Sequence, residues 1–188
     1  MRYVGLLLVA GACATATTGA PGNPTDGPET PIDSPKLVDA APDAPASLCT
    51  STATCAAAMD IGSVSGDSGN PMVTASGYQS AWFKVRVTED DNSPLGTAMN
   101  MTVQLMSPPG TNYDLYLYVN TGSDVVDCNS ISGSGMSTQQ LDSVSLSWGE
   151  GTVANGADDS RTVSIEVRPV SGPCTMSQPY QLTVLGDT

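Results

Sequence analysis

Two runs decide the fold: Ala81-Trp82-Phe83-Lys84-Val85-Arg86-Val87-Thr88 and Tyr113-Asp114-Leu115-Tyr116-Leu117-Tyr118-Val119. In the first, Phe83, Val85 and Val87 fall on one side, and Trp82, Lys84 and Arg86 on the other. In the second, Tyr113, Leu115, Leu117 and Val119 alternate with Asp114, Tyr116 and Tyr118. Successive side chains of a strand point to opposite faces, so each run is a strand with one apolar and one polar face. The same grammar continues outward. Ala98 to Met106 alternates Met99, Met101, Val103 and Leu105 against polar residues, and Gln140 to Trp148 offers Val144, Leu146 and Trp148. Arg161 to Val170 offers Val163, Ile165 and Val167, and Tyr180 to Leu185 offers Tyr180, Leu182 and Val184. Weaker strands are predicted near Ile61–Ser65 and Met72–Ser76. Pro108-Pro109-Gly110, Asn120-Thr121-Gly122 and Asn155-Gly156 supply turns. No window carries a convincing helical period, although Ala56-Ala57-Ala58-Met59 allows one turn before Gly62. One apolar face per strand is what two packed antiparallel sheets require. The expected fold is all-β: a jelly-roll-like β-sandwich of eight or nine strands over residues 48–188.

Composition narrows the function. The chain has 188 residues, a formal charge of −13 and no histidine. Without imidazole there is no Ser-His-Asp or Cys-His nucleophile pair and no zinc site that needs His. The negative balance disfavours nucleic acid and adsorption to an anionic membrane by charge.

The first twelve residues read as an export signal. Arg2 precedes Tyr3-Val4-Gly5-Leu6-Leu7-Leu8-Val9, an apolar run too short to span a bilayer, and small residues follow. Ala10-Gly11-Ala12-Cys13 resembles a bacterial lipobox, with Ala10 where leucine is commoner. That resemblance implies a diacylglyceryl group on Cys13 and a membrane-anchored lipoprotein. Ordinary cleavage after Ala12 and free secretion is the other reading. Ala14 is not the aspartate associated with inner-membrane retention, which leans the expected address to the outer membrane or cell surface. Residues 13–47 form a tether: seven of the fourteen prolines fall there, and large apolar side chains are almost absent. Such a segment cannot bury enough surface to offset its chain entropy.

The cysteines fit this address. With Cys13 lipidated, Cys49, Cys55, Cys128 and Cys174 can form two disulfides, and four cysteines allow three pairings. Cys49–Cys55, close in sequence, and Cys128–Cys174, linking two loops that follow strands, are the predicted pairs.

The order of the aromatic strand at 81–87, the Asp-Leu-Tyr-Leu-Tyr run at 114–118, Val163-Ser164-Ile165-Glu166-Val167-Arg168 and the closing Tyr180-Gln181-Leu182-Thr183-Val184 resembles the bacterial pre-peptidase C-terminal domain. That domain is a β-sandwich similar to collagenase collagen-binding modules. The resemblance covers roughly Ile61 to Gly186 and implies a non-catalytic module of secreted proteins.

Four constellations are candidates for chemistry. Gly66-Asp67-Ser68-Gly69 imitates a serine-protease motif, but with no base to take the proton it reads as a turn. Glu89, Asp90 and Asp91, with Asp158 and Asp159, are acidic loop clusters whose oxygens are candidate calcium ligands, with solvated charged loops as the default. No other cofactor is expected. Fourteen acidic residues after the tether make accidental carboxylate pairs common, so a carboxylate hydrolase is a minor alternative. Trp82, Tyr116 and Tyr118 sit on the polar sides of their strands and form a possible aromatic patch for sugar or protein, unless loops cover them. The expected function is binding or presentation at the cell surface, with an extracellular protein or polysaccharide as partner and no nucleic acid. A self-associating envelope component is the structural alternative.

Overall fold

The computed structural model describes residues 49–90, 96–149 and 157–188. The signal segment, the tether, Cys13, Asp91 and the Asn155-Gly156 turn lie outside them. Nine strands are present among the described residues: β1 Met59–Ser65, β2 Met72–Gly77, β3 Ala81–Thr88, β4 Met99–Met106, β5 Asn112–Tyr118, β6 Ile131–Gly135, β7 Leu141–Trp148, β8 Arg161–Ser171 and β9 Tyr180–Gly186. The alanine run yields one 3-10 turn, Cys55–Ala57.

The strands form two sheets, one of five strands in the order β1-β3-β8-β5-β6 and one of four in the order β2-β9-β4-β7. All pairings are antiparallel except β1 with β3. The alternation seen in the sequence becomes burial. Phe83, Val85 and Val87 of β3, Leu115 and Leu117 of β5, and Val163, Ile165 and Val167 of β8 face Met101, Val103 and Leu105 of β4 and Leu182 and Val184 of β9. This is a β-sandwich with its core between the inner faces. Tyr113 and Tyr180 close one end of the core edge to face, with ring centroids 4.9 Å apart.

β6 has no counterpart among the predicted strands. Its sequence, Ile131-Ser132-Gly133-Ser134-Gly135, has period two, but the residues pressed against the opposite sheet are glycines. A Cβ on Gly133 would lie 2.6 Å from Val144 Cγ1, and one on Gly135 would lie 2.8 Å from Asp142 Cβ. The sandwich closes so tightly at this corner that only glycine fits.

The predicted disulfides are wrong. The bridges are Cys49–Cys174 and Cys55–Cys128, with Cα atoms 5.2 and 5.9 Å apart. The reason is topological. Cys128 follows β5 and Cys174 follows β8, and these strands are antiparallel neighbours in which Asn112 pairs with Ser171 and Tyr118 with Ser164. Their following loops therefore lie at opposite ends of the sheet, roughly 20 Å apart for seven residues, and a disulfide needs Cα atoms within about 7 Å. Residues 49–58 bridge that gap instead. Cys49 is fixed beside Gly172 and Ser80, and Ser80 N–H donates to its carbonyl at 2.8 Å. Cys55 reaches the outer face of the five-stranded sheet, where its Sγ lies 3.6 Å from Ser164 Oγ. The segment is a strap stapled to both ends of the sheet.

Non-reducing peptide mapping is expected to return Cys49–Cys174 and Cys55–Cys128. The bridges close loops of 125 and 73 residues, so replacing Cys55 and Cys128 together by serine should lower the unfolding free energy by about 2–4 kcal/mol. Recovery of a Cys49–Cys55 peptide would reject the strap.

Candidate functional site

β3, β8 and β5 lie side by side, so their outward side chains form rows. Trp82, Glu166 and Tyr116 share one row, Lys84, Ser164 and Tyr118 the next, and Arg168 stands beside Asp114. The three aromatics named from the sequence thus meet on one face, as their strand parity requires. They do not form an open platform. Tyr118 is 3% exposed and stacks at a tilt against Trp82, with centroids 5.2 Å apart. Arg168 covers Tyr116, its guanidinium carbon 4.1 Å from the ring centroid.

The polar atoms of this face are joined in a network. Tyr118 O–H donates to Glu166 Oε2 at 2.7 Å, and Arg168 Nη2 donates to the same oxygen at 2.6 Å and to Tyr118 Oη at 3.2 Å. Tyr116 O–H donates to Asp114 Oδ2 at 3.2 Å. Burial, then the hydrogen bond and charge of Glu166, push the Tyr118 phenol up to about 12. Burial also raises Tyr116, with the Asp114 charge adding to it. Desolvation raises the Asp114 carboxyl against the opposing bond from Tyr116. Lys84 pairs with Asp60 at 3.8 Å, and Arg86 pairs with Asp124 on the loop after β5. Three of the four described cations therefore sit on this face of an acidic chain. Glu166 and Arg168 were absent from the candidate set. Their signal was the outward parity of β8, and it has meaning only once β8 is placed between β3 and β5.

Beside Trp82 the strap leaves a cleft of about 280 Å³. Ala53 and Ala57 of the strap form one wall, Gly77 to Ser80 another, and Phe83 and Tyr180 contribute from the core. No carboxylate lines it. A second, polar hollow of about 530 Å³ lies between β1 and the Gly69-Asn70-Pro71 bend, and among the described residues Asp90 is the carboxylate that lines it. Among the described residues, no facing pair of acids lines either of these hollows.

The acidic loop residues are engaged locally. Glu89 Oε2 accepts from Asp159 N–H at 2.6 Å, and Asp158 Oδ1 accepts from Ser160 N–H at 2.8 Å. Asp159 pairs with Arg161 at 3.3 Å with both side chains nearly buried. Hydrogen bonds from Ser160 hold the Asp158 carboxyl below its usual range. Asp90 Oδ2 accepts from Thr88 Oγ1 at 3.0 Å. Among the described residues no three such ligands converge on a metal position. In the Gly66–Gly69 bend, Asp67 is buried and accepts from Asp90 N–H and Ser65 Oγ. It organises the turn.

No family model and no curated protein matches the chain. Among solved structures it is similar to the pre-peptidase C-terminal domain of collagenase from Bacillus anthracis, at 12% identity and a TM-score of 0.41, over 68% of this chain and 93% of that one. The two-sheet fold stands on the strand pairings themselves.

The raised tyrosines set an alkaline limit. An acid whose folded pKa stands above its unfolded value near 10 favours folding while protonated. That contribution is complete below about pH 10 and is lost as pH rises through about 12. Ultraviolet titration should show Tyr118 ionising late, together with unfolding. Glu166→Gln should lower its apparent pKa, because the neighbouring negative charge is gone, while burial keeps it above 10. An unchanged titration in that variant would remove Glu166 from the network.

Proposed function

We propose that this chain is an exported, non-catalytic β-sandwich module that binds an extracellular protein or polysaccharide on the outer face of its five-stranded sheet. Lipid on Cys13 would hold it at the outer membrane or cell surface, with residues 13–47 as a spacer. One observation carries the reading: a doubly bridged strap is fixed across the face where Trp82, Tyr116, Tyr118 and three of the four described cations gather. Disulfides persist in oxidising compartments, which supports export. Tyr, Trp and Arg are the residues enriched where proteins bind partners. A rigid, hydrogen-bonded set of such side chains loses little freedom on binding. The absence of histidine and the lining of both hollows support a binding role over bond-breaking chemistry.

Mass spectrometry of the mature chain from its native envelope should find a diacylglyceryl group on Cys13; a free thiol there would remove the anchor. A screen of glycans and matrix proteins with the oxidised chain should find a partner whose affinity falls about tenfold with Trp82→Ala or Arg168→Ala, the range of a hot-spot truncation. A partner that ignores both substitutions would place binding elsewhere.

A further inference from the structure

Four strands stand at sheet edges: β1 and β6 in one sheet, β2 and β7 in the other. An edge strand turns one row of backbone N–H and C=O groups away from its sheet. That row is a template for a further strand unless charge, proline, a bulge or short length blunts it. Three of the four edges are blunted. β1 has a register shift and the charged Asp60, β6 has five residues and a register shift before Tyr118, and β2 has six residues entered from Pro71. β7 is the exception. It pairs with β4 without a shift from Leu141 to Trp148. Asp142, its one charged residue, is buried and accepts from Ser137 N–H.

Two bonds fix which groups of β7 face the open side. Ser107 N–H donates to the Gln140 carbonyl at 2.7 Å, one step beyond the Met106–Leu141 pair. On the other side of β4, Asp187 N–H donates to the Asn100 carbonyl at 3.0 Å. Opposed residues of an antiparallel pair alternate between exchanging both bonds and turning both groups away. Asp142, Val144 and Leu146 therefore bond to β4, and Ser143, Ser145 and Ser147 turn their N–H and C=O groups to the open edge. Leu141 has the same sense, since its carbonyl accepts from Ser137 Oγ at 3.3 Å. Among the described residues no strand pairs with β7 on that side.

The surroundings define what fits there. The outward side chains of all four strands of this sheet are Ser, Thr, Asn, Gln, Met and Leu, without one charge, in a chain of formal charge −13. A partner recruited by opposite charge would find nothing to pair with on this surface, whereas two copies of an acidic chain meet most readily where charge is missing. On the inner side, Leu146 points to the core but is only partly buried, and Gly133 beneath it offers no side chain. Ile131, two residues before that glycine, is 53% exposed. A strand added to β7 would cover this apolar strip. The chain's own tether is a poor source of that strand, because seven prolines interrupt residues 13–47 and each lacks a ladder donor. β7 itself supplies a matching one. In an antiparallel pair of β7 strands about a twofold axis at Ser145, Ser145 opposes its copy and Ser143 opposes Ser147. All three free positions then meet free positions, and Val144 opposes Leu146 on the inner side.

We propose that the open edge of β7 is a self-association site, at which two copies of the chain join their four-stranded sheets into one continuous antiparallel sheet. The site is on the other sheet from the aromatic face, so neither reading depends on the other.

The test uses the oxidised full chain carrying Cys13→Ser, so that no disulfide between chains contributes. Sedimentation equilibrium up to about 1 mM should show a monomer–dimer equilibrium, weak because one edge ladder buries little surface. Salt should strengthen it by screening the repulsion between two acidic chains. Amide exchange should slow at Ser143, Ser145 and Ser147 as the dimer forms, while Val144 and Leu146, bonded to β4, are protected throughout. Ser145→Pro removes an N–H on the open side alone and should give a folded monomer. Ser145→Lys places an exposed cation beside its copy at the axis and should weaken the dimer. Ser143→Lys with Ser147→Lys makes two like-charge cross-strand pairs and should weaken it about 2- to 30-fold, whereas Ser143→Lys with Ser147→Glu should not. The proposal is overturned by a chain that stays monomeric throughout, by a dimer that salt dissociates or that neither Ser145 variant affects, or by equal weakening in the Lys/Lys and Lys/Glu variants. Protection of the three serines at monomer mass would overturn it too, since the chain would then cover its own edge.

Discussion

The covalent strap is the constraint on which the outer face depends. Residues 49–58 contribute little to the core: the 3-10 turn buries none of its residues, and Ala53, Ala56 and Ala57 are exposed. An extended segment with so little apolar burial would not hold its place against chain entropy. Its position comes from Cys49–Cys174 at one end of the sheet and Cys55–Cys128 at the other, helped by Ser51 N–H donating to Ser80 Oγ at 2.8 Å. Through that attachment Ser164 becomes completely buried on what is otherwise an outward row, and one wall of the cleft acquires a defined shape. Oxidation is therefore part of the architecture of this surface, beyond its general effect on stability.

The fold was legible because the two inner faces obey a simple rule. Six strands announced themselves by clear alternation, and in β3, β4, β5, β8 and β9 above all the inward residues are the buried ones; the weaker β1 and β2 lie at sheet edges, where β2 buries none. The ninth was hidden because Gly133 and Gly135 occupy the inward positions, and a hydrophobic pattern cannot register a residue selected for having no side chain. The disulfides failed for a related reason. Proximity along the chain suggested Cys49–Cys55, but pairing is decided by which end of a sheet a loop occupies. That depends on β5 and β8 being neighbours, a fact carried by no single strand. The site was half legible. Parity placed Trp82, Tyr116 and Tyr118 on the same side, yet it could not show that Trp82 would lean on Tyr118 or that Arg168 would cover Tyr116. Tyr180 was read as core, and so it is.

The distribution of charge follows from the same packing. The chain has a large acidic surplus, but its buried carboxylates work as local braces. Asp67 accepts backbone and hydroxyl donors across a bend, and Asp142 accepts from Ser137 N–H at 2.9 Å at the β6–β7 corner. Asp159 and Arg161 form a nearly buried pair, and Arg161 also donates to the carbonyls of Asp158, Ser160 and Thr121. Breaking such a pair by removing one partner leaves an uncompensated charge and typically costs about 3–5 kcal/mol. Among the described residues, these carboxylates are held by donors of the chain.

The outer face is arranged differently. There the acids are matched by bases or phenols of the same face: Glu166 by Arg168 of its own strand and Tyr118 of β5, Asp114 by Tyr116 of its own strand, Asp60 by Lys84 and Asp124 by Arg86. The Lys84–Asp60 and Arg86–Asp124 pairs are substantially solvent-exposed, so they add little stability. What the network adds is fixed geometry, because the Arg168 side chain, which would otherwise sample many rotamers, is held over the Tyr116 ring. A surface of this kind meets a partner with much of its ordering already done.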